Sequence, residues 1–172
     1  MNNKHHISEK PVPTLAKLVA TALGAGFCPK APGTAGAAVG VIVWILLGLV
    51  VPIDALDYFT AALIIIFTVW GTWATAVLMP FWGDDPKEVV IDEVVGVWTA
   101  LLAAPAFELE NRIWMALAAF VLFRFFDIVK PLGIGTIDRK GGAFYVMADD
   151  LMAGLYALII LLIIGNIPGW II

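Results

Sequence analysis

Charge is scarce in this sequence. Charged residues make up 14% of the 172 positions, 62% are hydrophobic and mean hydropathy is +0.97, where a soluble domain carries roughly a quarter charged residues. So little polar side chain cannot clothe a water-soluble globule of this size, which excludes disorder and points to a membrane protein. Cysteine is nearly absent as well. The single Cys28 makes no intramolecular disulfide, and Thr34, six residues on, excludes the Cys-x5-Arg loop of thiol phosphatases. Histidine is confined to His5 and His6 in the polar N-terminus, which leaves none for a phosphohistidine mechanism in the apolar body. The net charge of −4 argues against a nucleic-acid partner. Missing too are an Asp-x-Asp nucleophile pair, the spaced Asp-Gly…Ala-Arg pattern of CDP-alcohol phosphotransferases and the Lys-Ser/Thr end of a nucleotide-binding P-loop.

What is present is a set of long apolar runs, and crossing a bilayer takes about 20 residues. Thr34 to Ile53 and Tyr58 to Trp82 carry no charge, the second with Trp70, Trp73 and Trp82 as candidate interfacial anchors, and Leu151 to Ile172 forms a third run. Two shorter runs, Val94 to Phe107 and Ile113 to Phe126, read either as two short crossings or as a hairpin that dips in and returns. Val12 to Cys28 is weakly apolar, carries Lys17 and is expected as an interfacial helix. The polar first residues followed by Pro11 and Pro13 do not resemble a signal peptide. The expected architecture is all-α, a multi-pass helical bundle in a single domain over 1–172 with a polar tail at 1–11.

Basic residues orient such a bundle. A five-crossing path places Lys4, Lys10, Lys17, Lys30, Lys87, Arg124, Lys130, Arg139 and Lys140 on the cytoplasmic side. It leaves Arg112 outside with Asp54, Asp57, Glu108 and Glu110. The same bookkeeping puts three polar segments, 27–36, 84–93 and 124–150, on one face.

The first segment reads Pro29-Lys30-Ala31-Pro32-Gly33-Thr34-Ala35-Gly36. A loop feeding a helix start aims unpaired N–H groups at an anion, but small residues for helix packing, as at Gly36 and Gly40, are the plainer reading. In the second, Asp92-Glu93 precedes an apolar helix with Gly96 four residues on. Asp149-Asp150 and Gly154 repeat the device. Capping is the simple explanation for one such pair; the recurrence, with a small residue one turn beyond the carboxylate, goes further. The third puts Arg124, Asp127 and Lys130 at steps of three before Pro131, and Asp138-Arg139-Lys140-Gly141-Gly142 follows. This stripe could be snorkelling cations with one paired acid, yet ionisable residues near a bilayer carry a functional presumption.

Several carboxylates beside several cations suit a divalent metal and a phosphate. Mg2+ takes oxygen ligands, typically one or two carboxylates completed by waters and phosphate oxygens, while Arg and Lys balance the remaining charge. At a bilayer rim the matching substrate is a lipid whose head group ends in phosphate, attacked by an activated water with one carboxylate as base. A transport or assembly protein whose polar loops only cap helices is the competing reading. It would scatter its ionisable groups over both faces or bury them along a mid-membrane path.

The ordered set Pro29-x-x-Pro32-Gly33-Thr34-x-Gly36, Asp92-Glu93-x-x-Gly96, Phe123-Arg124-x-x-Asp127-x-x-Lys130-Pro131, Asp138-Arg139, Gly141-Gly142 and Asp149-Asp150-x-x-Ala153-Gly154 resembles the phosphatidylglycerophosphatase A family over most of the chain. It departs at Ala37, Gly133 and Phe144, where the family commonly shows Ser, Pro and Gly. The resemblance implies an all-helical, Mg2+-dependent enzyme of the bacterial inner membrane that removes the terminal phosphate of phosphatidylglycerophosphate. Another phosphorylated lipid is the alternative substrate. Carried over by position, it implies Asp92, Glu93, Asp149 and Asp150 as metal and catalytic carboxylates, with Asp127 as a further ligand or a partner for Arg124. It further implies Arg124, Lys130 and Arg139 as phosphate contacts, with the Pro29–Gly36 loop, which includes Pro32, Gly33 and Thr34, supplying backbone donors.

Overall fold

A chain this apolar has to satisfy its backbone within helices, and it does. The computed structural model describes residues 11–104, 109–131 and 133–165. The polar tail at 1–10, the outer-loop residue Glu108 and the end of the last apolar run at 166–172 lie outside them. The elements are α1 (Thr14–Ala20), a 3-10 turn (Ala25–Phe27), α2 (Pro32–Val50), α3 (Leu56–Trp82), α4 (Ile91–Leu101), α5 (Leu109–Val129), α6 (Ile134–Asp138) and α7 (Ala143–Gly165). Three of them, α2, α3 and α7, are long and apolar enough to cross a membrane. Their outward faces, with Leu46 and Leu49 on α2, Ile65 and Val69 on α3, and Ile159 and Ile163 on α7, leave large apolar side chains exposed to a lipid surround.

The two shorter runs resolve differently from either expectation. Helix α4 has 11 residues, a rise of about 16 Å against a hydrocarbon core of about 30 Å, so it does not span. It is the central element, packed against α2, α3, α5 and α7 and buried on nearly every side, as expected of a helix that is hydrophobic all round. Helix α5 has 21 residues and runs the depth of the bundle antiparallel to α2. Arg124 lies beside Gly33 at one end of α2, and Arg112 Nη1 donates to the Gly48 carbonyl (3.2 Å) near the other.

Close approach at glycine builds the centre. A Cβ on Gly154 would strike the carbonyl oxygen of Gly96, and one on Gly96 would meet the Phe123 ring and the carbonyl of Asp150. The repeated acid-then-glycine device therefore marks the crossing of α4 with α7. Gly36 and Gly40 seat α2 against Val90, Val94 and Val97 in the same manner, which realises the packing reading of that stripe. Indole hydrogen bonds add direction, from Trp98 Nε1 to the Gly40 carbonyl (2.8 Å) and from Trp44 Nε1 to Thr60 Oγ1 (3.1 Å).

The expected interfacial helix over 12–28 is the short α1, which buries Ala16 and Ala20 while exposing Leu15 and Leu18, followed by the 3-10 turn. Of the three candidate anchors, Trp82 stands at the end of α3 and packs edge-on to Phe27 (6.4 Å between centroids). Trp70 and Trp73 lie part-way along the same helix, about half exposed.

Replacing Gly154 with Ala is expected to cost about 1–3 kcal/mol through overpacking at the crossing. Gly135→Ala, where the added carbon has its nearest neighbour at 3.5 Å, should leave thermal unfolding in detergent unchanged. Equal Tm values for the two variants would contradict this account of the α4–α7 contact.

Candidate active site

Helices α2, α4 and α7 begin, and α3 and α5 end, at one end of the bundle, where a cavity of about 490 Å³ opens, within the range of small-molecule sites. The three polar segments expected on one face meet here. Pro32, Gly33, Thr34, Asp92, Glu93, Arg124, Asp127, Lys130, Asp149 and Asp150 all line the cavity. Arg139 does not: it is exposed and turned to Thr136 Oγ1 (3.4 Å).

Asp92 and Glu93 occupy the first turn of α4, and Asp92 Oδ1 accepts from the Glu93 backbone N–H (2.9 Å). Asp149 and Asp150 lie inside α7, two turns from its start, so capping does not account for them. Both are buried, as are Asp92 and Asp127. Gly33 owes its place to this cluster, because a Cβ there would collide with the Glu93 carboxylate and crowd Arg124. The first turn of α2 therefore packs on the acidic floor of the cavity.

The expected Arg124–Asp127–Lys130 stripe splits into two clusters. Arg124, 15% exposed, bridges Glu93 and Asp127 (2.9 Å to Asp127 Oδ2). Helix α5 ends at Val129, and Lys130 takes a left-handed backbone (φ 47°) ahead of Pro131. That turn costs a non-glycine residue about 1–2 kcal/mol and sends the ammonium to Asp138 (2.5 Å) and Asp149 (2.6 Å). Burial works against the Lys130 charge, yet its hydrogen bonds to Asp138 and Asp149 hold the ammonium above the ordinary lysine range.

One oxygen each from Glu93, Asp127 and Asp150 fall within 4.8 Å of one another. Donors around a common Mg2+ stand up to about 4.2 Å apart, and around Ca2+ up to about 5 Å, so the trio fits a hard, oxygen-liganded cation with little movement. Asp92 and Asp149 flank this trio, the first bonded to the Glu93 backbone and the second to Lys130. With Asp138, six carboxylates thus surround Arg124 and Lys130, more acids than the two cations can balance.

Tyr145, Asp84, Asp85 and Lys87 also line the wall; the sequence reading assigned none of them a site role, although 84–93 is one of its converging segments. Asp84-Asp85 is a further acidic pair, a signal available in the sequence. Tyr145 carries no such signal and reaches the cavity from the first turn of α7.

Burial holds the Glu93 carboxyl up from the usual 4.5 to about 7, with the Asp127 charge adding to the effect and Arg124 opposing it. Burial, with Glu93 alongside, also pushes Asp92 well above the ordinary carboxylate range. Between these limits the folded chain binds more protons than the unfolded one, so its stability falls as pH rises through the window. In detergent with a chelator, Tm should therefore decline from about pH 5 to about pH 8, and Glu93→Gln should flatten the decline. A Tm that climbs over this range would reverse the assignment.

Residues 18–165 match the family model described as phosphatidylglycerophosphatase A. Over 155 residues the chain is 48% identical to a Bacteroides thetaiotaomicron protein named "Putative phosphatidylinositol-3-phosphatase", covering 90% of this chain and 96% of that one. It is 36% identical over 144 residues to a phosphatidylglycerophosphatase A of Haemophilus influenzae, covering 83% and 84% of the two chains. A third relative, the phosphatidylglycerophosphatase A of Escherichia coli, is 34% identical over 152 residues, covering 87% and 83%. No solved structure matches. The chain, with its acidic pairs and cations gathered at one end of a helical membrane bundle, belongs to the phosphatidylglycerophosphatase A family of phosphoric monoester hydrolases.

Proposed function

We propose that this protein is a Mg2+-dependent phosphatase at the cytoplasmic face of the bacterial inner membrane, converting phosphatidylglycerophosphate to phosphatidylglycerol and phosphate. The observation that carries this reading is the trio Glu93, Asp127 and Asp150, the two aspartates buried and Glu93 nearly so, at the floor of a cavity at one end of the bundle. Mg2+ bound by that trio would supply charge to the phosphoryl oxygens and lower the pKa of the attacking water. Arg124 holds Glu93 and Asp127 in place at the cavity wall, where its guanidinium balances phosphoryl charge. Asp92 or Asp149 takes the proton of the water as its oxygen bonds to phosphorus. The P–O ester bond breaks, and the departing glycerol oxygen takes up a proton from water at the cavity mouth.

The relative named for phosphatidylinositol 3-phosphate, at 48% identity, favours a second substrate, a phosphorylated inositol lipid, through the same chemistry. Orientation rests on charge. Lys17, Lys30, Lys87, Lys130, Arg139 and Lys140 belong to segments at the cavity end, while Arg112 lies at the other, which supports a cytoplasmic cavity by the positive-inside rule.

In mixed micelles, Asp150→Asn should lower Mg2+-dependent phosphate release by about 100-fold or more and abolish the Mg2+-induced rise in Tm. Asp149→Asn, outside the trio, should lose turnover and keep that rise. Near-normal turnover in both, or no release by the wild type from any lipid phosphate, would refute the reading. In a Cys28→Ser background, cysteines at positions 87 and 140 should resist impermeant labelling until cells are opened. Labelling in intact cells would place the cavity on the outer face.

A further inference from the structure

Two of the cavity's cations are engaged by carboxylates and two are not. Arg124 is paired with Glu93 and Asp127, and Lys130 with Asp138 and Asp149. Lys30 and Lys87 line the same cavity, both exposed, and neither forms an ion pair among the described residues. They share one wall. A Cβ on Gly26 would strike the backbone carbonyl of Glu88, one on Gly36 would come within 2.6 Å of Val90 Cβ, and the Val90 N–H donates to the Ala20 carbonyl (2.8 Å). The strands of chain carrying the two lysines are thereby held side by side, with Pro29, Pro32 and Pro86 stiffening them.

The depth of this wall is marked independently. Phe27, three residues before Lys30, packs edge-on against Trp82, the last residue of α3 and five before Lys87, and Leu23, four residues before Phe27, is 83% exposed. Aromatic pairs with exposed apolar neighbours at helix ends sit at head-group level. That is the layer in which the phosphodiester of a glycerophospholipid lies.

We propose that Lys30 and Lys87 form a second phosphate subsite, which takes the phosphodiester of the lipid whose terminal monoester lies at the carboxylate floor. The enzyme thereby selects lipids that carry two phosphates on either side of a polyol over lipids with a single phosphomonoester, such as phosphatidate. This rests on the lipid-phosphatase reading above and holds for a glycerol or an inositol spacer alike. Asp84 and Asp85, on the same link as Lys87, offer acceptors to the hydroxyls of that spacer.

The test compares wild type, Lys30→Gln/Lys87→Gln and Lys30→Arg/Lys87→Arg on phosphatidylglycerophosphate and phosphatidate in mixed micelles with Mg2+. The Gln pair should raise KM for phosphatidylglycerophosphate by about tenfold or more, two charge-assisted contacts being lost, and shrink the preference over phosphatidate by the same factor. The Arg pair should retain that preference. A Gln pair with an unchanged preference, a wild type that turns over both lipids equally, or equal losses on both lipids would each overturn the subsite. Wild type inactive on both lipids would instead defeat the phosphatase reading itself.

Discussion

The crossing of α4 and α7 is the contact on which the site depends. With hydrogen in place of a side chain at Gly96 and Gly154, the two helices touch backbone to backbone, and Phe123 of α5 closes over the gap. Both helices start at the cavity and both carry an acid four residues before the glycine. The closest approach therefore lies one turn below Asp92 and Asp150, and setting the helices together there sets their carboxylates together as well. Bulk at either glycine would separate the helices and disperse the acids. In a bilayer, where lipid tails are as apolar as the helix faces, van der Waals packing of this kind is the main source of association.

What packing brings together, electrostatics resists. Asp92, Glu93, Asp127, Asp149 and Asp150 face Arg124 and Lys130, and four of the five acids are buried. Fully ionised, such a group repels itself in a region of low dielectric. The protein offsets part of this with ion pairs and with the positive ends of α2 and α4, which begin at the cavity. Burial and mutual repulsion favour the protonated forms of Asp92 and Glu93, and in the proposed function a divalent cation takes that part. A floor arranged this way has an affinity for positive charge before any substrate arrives.

Most of the cavity lining was legible in the sequence because its residues recur in pairs with small neighbours, and such pairs have few uses in an apolar chain. The convergence of segments 27–36, 84–93 and 124–150 followed from counting crossings. Less legible was what tertiary contacts decide. The steps of three at Arg124, Asp127 and Lys130 implied one face, but Pro131 forces Lys130 out of the helix and toward α7. Arg139 looked equivalent to the other cations, yet it falls on the exposed end of α6, beyond the cavity. Length misled at α4, whose apolar run continues to Phe107 although the helix stops at Leu101. A buried central helix and a short crossing share the same composition, and only the surrounding helices tell them apart.

The short α4 has its own logic. A helix that spans must give one face to lipid, and lipid tolerates a carboxylate poorly at depth. By stopping after 11 residues and surrendering its whole circumference to α2, α3, α5 and α7, α4 carries Asp92 and Glu93 without exposing either flank to hydrocarbon. The lipid-facing work falls to the longer helices, whose outer sides are apolar. Their ends frame the cavity, with the Phe27–Trp82 pair at the close of α3. The acids thus sit where water and a head group reach them, on a helix rigid enough to hold like charges at close quarters.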